Sequence, residues 1–153
     1  MIVKSDKEFN PPTGDHAISF LIISDDEDDV KTITDEFKRN KIVNPLFVEY
    51  NSPEALEVVR EKSCEGATTA WIILLEVNVE QIDGFKILKS IHEATDLNCV
   101  KVFVITSNPE VKALIEKMKY QVAGYIPKPV SFDKLAASVS ILKYKWELTD
   151  NTN

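Results

Sequence analysis

Short apolar segments alternate with amphipathic segments along the chain from Ala17 onwards. The apolar segments cover residues 17–23, 45–50, 71–77, 100–106 and 124–127. The amphipathic segments that follow them cover residues 30–40, 53–62, 84–94, 109–120 and 132–146. Five strands and five helices in strict alternation imply βαβ crossovers, and therefore a parallel sheet covered by helices on both faces.

The apolar segments differ in how continuous they are, and this predicts their places in the sheet. Segments 17–23, 71–77 and 100–106 are the most continuously apolar, as central strands buried on both faces should be. Segment 124–127 is short and ends in proline, which favours an edge strand because proline cannot donate a ladder hydrogen bond.

Capping residues support the predicted helices. Ser52-Pro53 and Asn108-Pro109 each place a capping side chain before a proline at the first helical position. Proline is tolerated there because an N–H group at this position has no hydrogen-bond partner within the helix. Ser131 can cap the last helix in the same way.

The length, net charge and cysteine spacing of the chain argue against several classes of protein. The 153 residues fit one domain, and no apolar run approaches the roughly 18 residues that a membrane span needs. The net charge of −7 argues against nucleic-acid binding, and Cys64 and Cys99 lack the spacing of a zinc site. Because the N-terminus lacks a signal-peptide core, we expect a cytoplasmic protein.

The pattern of segments also predicts the domain boundaries. We expect a flexible arm over residues 1–16, one domain over 17–146 and a tail over 147–153.

Chemistry-bearing residues follow four of the predicted strands. The first strand is followed by SDDEDD (24–29), the third ends at Glu76, the fourth is followed by Thr106 and Ser107, and the fifth by Lys128. In open α/β sheets, ligands bind at the carboxyl ends of strands. Carboxylates, a hydroxyl and an ammonium at one edge suit a divalent cation and a phosphoryl group.

These motifs, in this order, resemble the receiver domains of two-component response regulators, the CheY-like superfamily, over about residues 17–146. The matching features are the acidic cluster, the carboxylate followed by VNVEQIDG, the threonine after the fourth strand and GYIPKP after the fifth. NPLFVEYNSPEAL and SFDKLAASVSILKYKWELT are most similar to single-domain regulators associated with bacterial phytochromes. The resemblance implies a doubly wound, flavodoxin-like (βα)5 fold with strand order 2-1-3-4-5.

The resemblance also implies roles for individual residues. In such proteins a sensor histidine kinase transfers phosphate to an aspartate at the end of the third strand, and Mg²⁺ assists. Glu76 matches the phosphoacceptor position, Thr106 the switch hydroxyl, Tyr125 the switch aromatic and Lys128 the lysine that contacts the phosphoryl group. The Lys128-Pro129 bond is expected to be cis, an isomer that proline makes accessible.

The metal-binding residues implied by the resemblance depend on the alignment of the first helix. Aligning its apolar residues as in the phytochrome-associated group makes Ser24 and Asp25 the acidic pair, whereas a register one residue along gives Asp25 and Asp26. The implied Mg²⁺ ligands are Asp25, Asp26, Glu76 and the backbone carbonyl of Asn78. The remaining acids, Glu27, Asp28 and Asp29, are expected to form a solvated helix start, because they complement the helix dipole.

Two positions depart from the family pattern, because Glu76 replaces the acceptor aspartate and Glu80 replaces a proline. The extra methylene of Glu76 pushes its carboxylate roughly 1 to 1.5 Å further from the strand. There it can pair with Lys128 without phosphate, while the geometry needed for in-line transfer is lost. We therefore expect phosphorylation to be impaired or absent.

The predicted function is that of a stand-alone receiver domain that acts through contacts with a sensor histidine kinase or a downstream signalling protein. The alternative is a Mg²⁺-dependent phosphohydrolase that uses the same acidic cleft. It is less favoured because those enzymes use an aspartate nucleophile followed two residues later by another acid. Apolar residues in the stretch 141–148 suggest a homodimer.

Overall fold

The computed structural model describes residues 2–3, 17–50, 54–55, 57, 69–78, 83–94 and 100–140. Six parallel strands form one sheet in this part of the chain. The strands are β1 (Ile2–Val3), β2 (Ala17–Ile23), β3 (Leu46–Glu49), β4 (Thr69–Glu76), β5 (Val100–Ile105) and β6 (Gly124–Ile126). The helices are α1 (Glu27–Arg39), α2 (Asp83–Glu93), α3 (Pro109–Met118) and α4 (Phe132–Ser140).

The order of strands confirms the predicted topology. The sheet runs β1-β3-β2-β4-β5-β6, so the five strands from β2 onwards have the predicted order 2-1-3-4-5. The three most apolar strands, β2, β4 and β5, lie inside the sheet and β6 forms one edge, because strands that are covered on both faces need apolar side chains in both directions.

The opposite edge carries β1, a strand that the sequence pattern does not predict. Ile2 pairs with Leu46 and Val3 pairs with Phe47, parallel to β3. Both residues belong to the segment expected to be a flexible arm. The rest of that segment, residues 4–16, lies outside the described residues, as does the predicted tail.

Two apolar clusters fill the space between the sheet and its helices. On one face, side chains of β4 and β5 pack with α2 and α3. On the other, alternate side chains of β2 and β4 pack with α1 and α4. The alternation follows from the two-residue period of a strand, and it fixes which helices flank the strand ends.

The predicted helices agree with the observed ones apart from their ends. Helix α1 begins at Glu27, earlier than predicted, because Asp26 caps it by accepting from the backbone N–H groups of Asp28 and Asp29. Asn108 caps α3 as predicted, with Pro109 in the first turn. The Ser131 hydroxyl accepts from the N–H of Lys134 at 3.3 Å at the start of α4.

Parts of three predictions lie outside the described residues. For the predicted helix 53–62, the structure describes Glu54, Ala55 and Glu57, all helical. Its predicted Ser52-Pro53 cap is not among the described residues. The stretch 141–148, on which the homodimer prediction depends, is also outside them. Within the described ranges, every helix falls short of the length and apolar character needed to cross a bilayer.

A buried carboxylate joins α1 to α4. Glu36 is 7% exposed, and its carboxylate accepts a hydrogen bond from the backbone N–H of Phe132 at the start of α4. The same carboxylate pairs with Arg39. An acid at a helix start satisfies an N–H group that has no partner within the helix, so Glu36 positions α4 beside the strand ends.

A lysine in the left-handed conformation lies just after each of the helices α1 and α3, with φ values of 60° at Lys41 and 62° at Lys119. At the end of α3, the N–H of Lys119 donates to Glu116 and that of Tyr120 donates to Ile115. This is the Schellman arrangement, in which glycine is the usual residue.

We predict that Lys119→Gly stabilises the protein. A left-handed residue with a side chain costs about 1–2 kcal/mol, and the greater freedom of glycine in the unfolded chain offsets roughly half of that. Urea unfolding should therefore give a gain of about 0.5–1 kcal/mol for Lys119→Gly. Lys119→Ala, which removes the same charge but keeps a Cβ, should show no gain, and equal stability of the two variants would contradict the explanation.

Candidate functional site

Glu76 is a buried carboxylate at the carboxyl end of β4. It is 7% exposed, although it is the last residue of its strand. Helix α2 approaches closely here, since a Cβ built at Gly84 would lie 3.2 Å from the carbonyl oxygen of Glu76. The strand end is therefore enclosed, and its carboxylate must find partners within the protein.

The ammonium of Lys128 is one of these partners. It forms an ion pair with Glu76 and a second one with Asp29 at 2.8 Å. The pairing of Glu76 with Lys128 confirms the contact that the sequence predicts. The Lys128-Pro129 peptide is cis, also as predicted.

The backbone of Lys128 is held in place by Ser107. The Ser107 hydroxyl accepts from the N–H of Lys128 at 2.9 Å and donates to its carbonyl oxygen at 3.2 Å. One side chain from the loop after β5 thus fixes both backbone groups of a residue after β6. The Lys128 side chain consequently starts from a defined position beside β4.

Ser24 is the second partner of Glu76. Its hydroxyl, buried after β2, donates a hydrogen bond to Oε1 of Glu76 and accepts one from the backbone N–H of Asp26 at 3.0 Å. Glu76 therefore receives a hydroxyl donor from one neighbouring element and an ammonium donor from another.

The carboxylates that the structure brings together differ in one member from the predicted set. Oxygens of Asp26, Asp29 and Glu76 lie within 4.8 Å of one another, whereas Asp25 is exposed and does not belong to this group. Asp29, interpreted from sequence as part of a solvated helix start, is instead the second counter-ion of Lys128. That interpretation of Asp29 was wrong.

The sequence does contain a signal for Asp29. Asp26 caps α1, and residues three apart at a helix start lie on the same side of the helix. Once Asp26 is taken as the cap, Asp29 must face the same direction. The missing information was the first residue of α1, which the apolar pattern placed at 30.

The pKa values of the cluster move in opposite directions. Burial and the hydrogen bond shared with Asp29 raise the pKa of Glu76, against the opposing effects of Lys128 and Ser24. Burial also acts to raise the pKa of Asp29, but its hydrogen bonds with Glu76 and Lys128 outweigh this and lower it. The fold therefore disfavours the charged form of Glu76, which depends on Lys128 and Ser24 to stay ionised.

The ammonium of Lys128 keeps its positive charge within the cluster. Burial disfavours the charged form of Lys128, but the contacts with Asp29 and Glu76 are stronger and raise its pKa. Lys128 is therefore a cation at neutral pH, and it neutralises one of the two carboxylates that it touches.

The switching roles of the two predicted switch residues, Thr106 and Tyr125, stay predictions. The Thr106 hydroxyl accepts from the N–H of Asn108 at 3.1 Å, so it supports the turn before α3. Tyr125 is half-buried against the α3 side of the sheet, with the Lys112 ammonium 5.2 Å from its ring centre. Burial and the charge of Glu116 raise the Tyr125 pKa.

The carboxylate cluster suits a divalent cation in its donor atoms, since Mg²⁺ prefers carboxylate oxygens. However, the Lys128 ammonium already contacts two of the three carboxylates, so a cation must compete with it. Asn78 lies two residues after Glu76 and is half-buried; the predicted contribution of its carbonyl stays a prediction. Glu80 lies outside the described residues.

Comparison with known proteins decides the family. A family model described as "Response regulator receiver domain" matches residues 20–140. This chain belongs to the response regulator receiver domain family. Two relatives are the probable methanogenesis regulatory protein FilR2 of Methanothrix harundinacea, 24% identical over 82% of this chain and 81% of the relative, and an NtrX-like response regulator of Rickettsia bellii, 30% identical over 84% of this chain. The receiver domain spans only 25% of the latter.

Solved structures support the same CheY-like fold. The bacteriophytochrome response regulator RtBRR has a TM-score of 0.70 at 23% identity, covering 88% of this chain and 83% of that structure. AtBRR, also a bacteriophytochrome response regulator, has a TM-score of 0.71 at 20% identity, covering 87% and 97%. The predicted similarity to phytochrome-associated receivers is therefore confirmed at the level of fold.

We predict unequal effects of removing the two partners in the Glu76–Lys128 pair. Lys128→Met leaves the buried carboxylate of Glu76 and the half-buried one of Asp29 without their cation, and should lower the free energy of unfolding by about 1–3 kcal/mol. Glu76→Gln keeps hydrogen-bonding atoms, leaves Lys128 paired with Asp29, and should change it by less than about 1 kcal/mol. Urea unfolding at neutral pH measures both.

The exposed pair of Lys31 and Asp35 is the matched control. Its side chains are 74% and 54% exposed, so solvent screens the pair and Lys31→Met should leave the free energy of unfolding nearly unchanged. If Lys128→Met were no more destabilising than Lys31→Met, the predicted stabilising role of the Lys128 ammonium would be wrong.

Proposed function

We propose that this receiver domain acts in two-component signalling through protein contacts, with impaired or absent phosphorylation. In this proposal Glu76 occupies the phosphoacceptor position and holds the cleft in one charge state. The observation that carries the proposal is the ion pair between Glu76 and Lys128.

The pair supports the proposal because it uses the groups that phosphotransfer would need. A phosphoryl group bound at this edge requires a cationic contact, and the Lys128 ammonium is already engaged by Glu76 and Asp29. A phosphoryl group would have to displace two carboxylates from Lys128. Its own negative charge would also meet theirs.

Geometry gives a second argument. In-line transfer needs the attacking oxygen placed to within a fraction of an ångström. The Glu76 side chain has one methylene more than that of an aspartate, and its Oε1 accepts a hydrogen bond from the Ser24 hydroxyl. We infer that these contacts hold the oxygens in positions set by Ser24 and Lys128 rather than by an incoming phosphoryl donor.

We further propose that Mg²⁺ binds weakly, held by Asp26, Asp29 and Glu76 when Lys128 moves aside. Three carboxylates within 4.8 Å support this, and the ammonium contacts limit it. The response regulator Rcp1, which shares the fold at a TM-score of 0.57 and 20% identity over 89% of this chain and 99% of that structure, is known in a Mn²⁺-bound form. When bound, a divalent cation would supply positive charge for phosphoryl oxygens.

Receiver domains interact with histidine kinases or with downstream proteins. We propose a partner of one of these two kinds here, in contacts whose surface is set by the pairing of Glu76 with Lys128. The homodimer suggested by the sequence is part of this proposal, as is the cytoplasmic location.

We predict that the protein gains no phosphate when treated with acetyl phosphate and Mg²⁺, as judged by intact mass. The Lys128 ammonium stays paired with carboxylates, and the Glu76 oxygens are not placed for attack. The double variant Ser24→Asp/Glu76→Asp restores an acid after the first predicted strand and the shorter acceptor, so it should gain one phosphate.

The wild-type chain and the Glu76→Gln variant together can contradict the proposal. A clean gain of one phosphate by the wild-type chain that disappears in Glu76→Gln would show that Glu76 is a working acceptor. Steady hydrolysis of an aryl phosphate that depends on Glu76 would instead favour the phosphohydrolase alternative.

A further inference from the structure

A pocket with apolar walls and an acidic rim lies beside the carboxylate cluster, between the start of α1 and the end of β3. Its lining residues are Ser24, Glu27, Val30, Val48, Glu49 and Tyr50. Apart from Ser24, none of them takes part in the contacts of Glu76 and Lys128 described above. The pocket is therefore a separate feature that adjoins the site through one residue.

The walls of the pocket are apolar and incompletely covered. Val30 and Val48 pack against the edge of the core and are only partly buried. Tyr50 is 59% exposed, one of the most exposed large apolar side chains in the described part of the chain. An aromatic ring beside two aliphatic side chains can hold the apolar part of a ligand.

The rim is negatively charged. Glu27 lies in the first turn of α1 and Glu49 ends β3. The nearby ion pairs, Lys31 with Asp35 and Lys128 with Asp29, involve neither of them. The rest of the acidic stretch 24–29 adds charge of the same sign, so the potential at the pocket favours a cation.

We propose that this pocket is an interaction surface for an arginine side chain of a partner protein. The aliphatic stem of an arginine fits between Val30 and Val48, as such stems do on apolar surfaces. Its planar guanidinium can stack on the ring of Tyr50 and pair with Glu27 and Glu49. A lysine has the same charge, but it lacks the planar group that stacking and bidentate hydrogen bonding require.

Ser24 connects this surface to the paired carboxylate. The hydroxyl at the edge of the pocket is the one that donates to Glu76, so an occupant that alters the position of Ser24 alters the contacts of Glu76. This connection rests on the proposed function, in which Glu76 holds the cleft in one state. The surface itself does not depend on it.

The test is an NMR titration of the ¹⁵N-labelled full chain with Nα-acetyl-arginine amide. Nα-acetyl-citrulline amide is the matched probe, because it has nearly the same shape without the charge. The arginine probe should give saturable shifts at the amides of Val30, Val48, Glu49 and Tyr50. The citrulline probe should bind at least about fivefold more weakly, a difference of about 1 kcal/mol.

Variants assign the binding to the pocket. Glu49→Gln and Tyr50→Ala should each weaken arginine binding about threefold or more. Glu110→Gln, at an exposed acid in the first turn of α3, should leave it unchanged. Unchanged spectra away from the pocket establish that each variant is folded.

Three results would overturn the proposal: equal binding of citrulline, shifts spread over acidic residues throughout the surface, or no effect of either pocket variant. Concentration-dependent shifts of the same amides without a probe would also overturn it, because they would make a second copy of this chain the occupant. None of these results depends on whether Glu76 accepts phosphate. Failure here is therefore distinguishable from a gain of phosphate in the mass measurement.

Discussion

The ammonium of Lys128 lies between two carboxylates at the carboxyl end of the sheet, and the other features of the site depend on this contact. Glu76 can stay buried because Lys128 and Ser24 satisfy its oxygens. Asp29 is drawn towards the cleft by the same ammonium. A buried charge without such partners would be strongly unfavourable, so the network of Ser24, Asp29, Glu76 and Lys128 allows a glutamate to be buried at the end of β4.

Local rigidity around the pair follows from the fold. The backbone of Lys128 is held by Ser107, the end of β4 is enclosed by Gly84 of α2, and α4 is tied to α1 through Glu36. These contacts join the loop after β5 to the loop after β6, helix α2 to the end of β4, and helix α4 to helix α1. The carboxyl edge of the sheet is therefore built from several elements that restrict one another, and the ion pair forms where they meet.

Much of the fold could be predicted from the sequence, because continuous apolar strands and proline-initiated helices are local signals. The order of the strands and the pairing of Glu76 with Lys128 followed from them and from the family resemblance. The strand Ile2–Val3 could not be predicted, since its pairing with Leu46 and Phe47 is a long-range contact within a polar, proline-containing segment. Likewise, the role of Asp29 depends on where α1 begins, and in an acidic run every residue is a plausible cap.

The network also defines what a signal would have to change. Phosphoryl groups and divalent cations both require Lys128 to leave its carboxylates or to share them, whereas a partner protein that contacts the rim at Glu27 and Glu49 does not. Under the proposal of impaired phosphorylation, such a receiver domain would respond to the binding of a partner rather than to phosphate. Ser24, which belongs both to the pocket and to the network, is the residue through which such a response would pass.

Calorimetric titration with Mg²⁺ of the wild-type chain and of Lys128→Met tests the central claim, which is that the ammonium takes the place of a cation in the carboxylate cluster. Removal of the ammonium takes away the cation that competes with a metal ion for Asp29 and Glu76, so we predict that Lys128→Met binds Mg²⁺ at least about tenfold more tightly than the wild type. Lys31→Met should bind as the wild type does. Equal or weaker binding by a folded Lys128→Met variant would contradict the account.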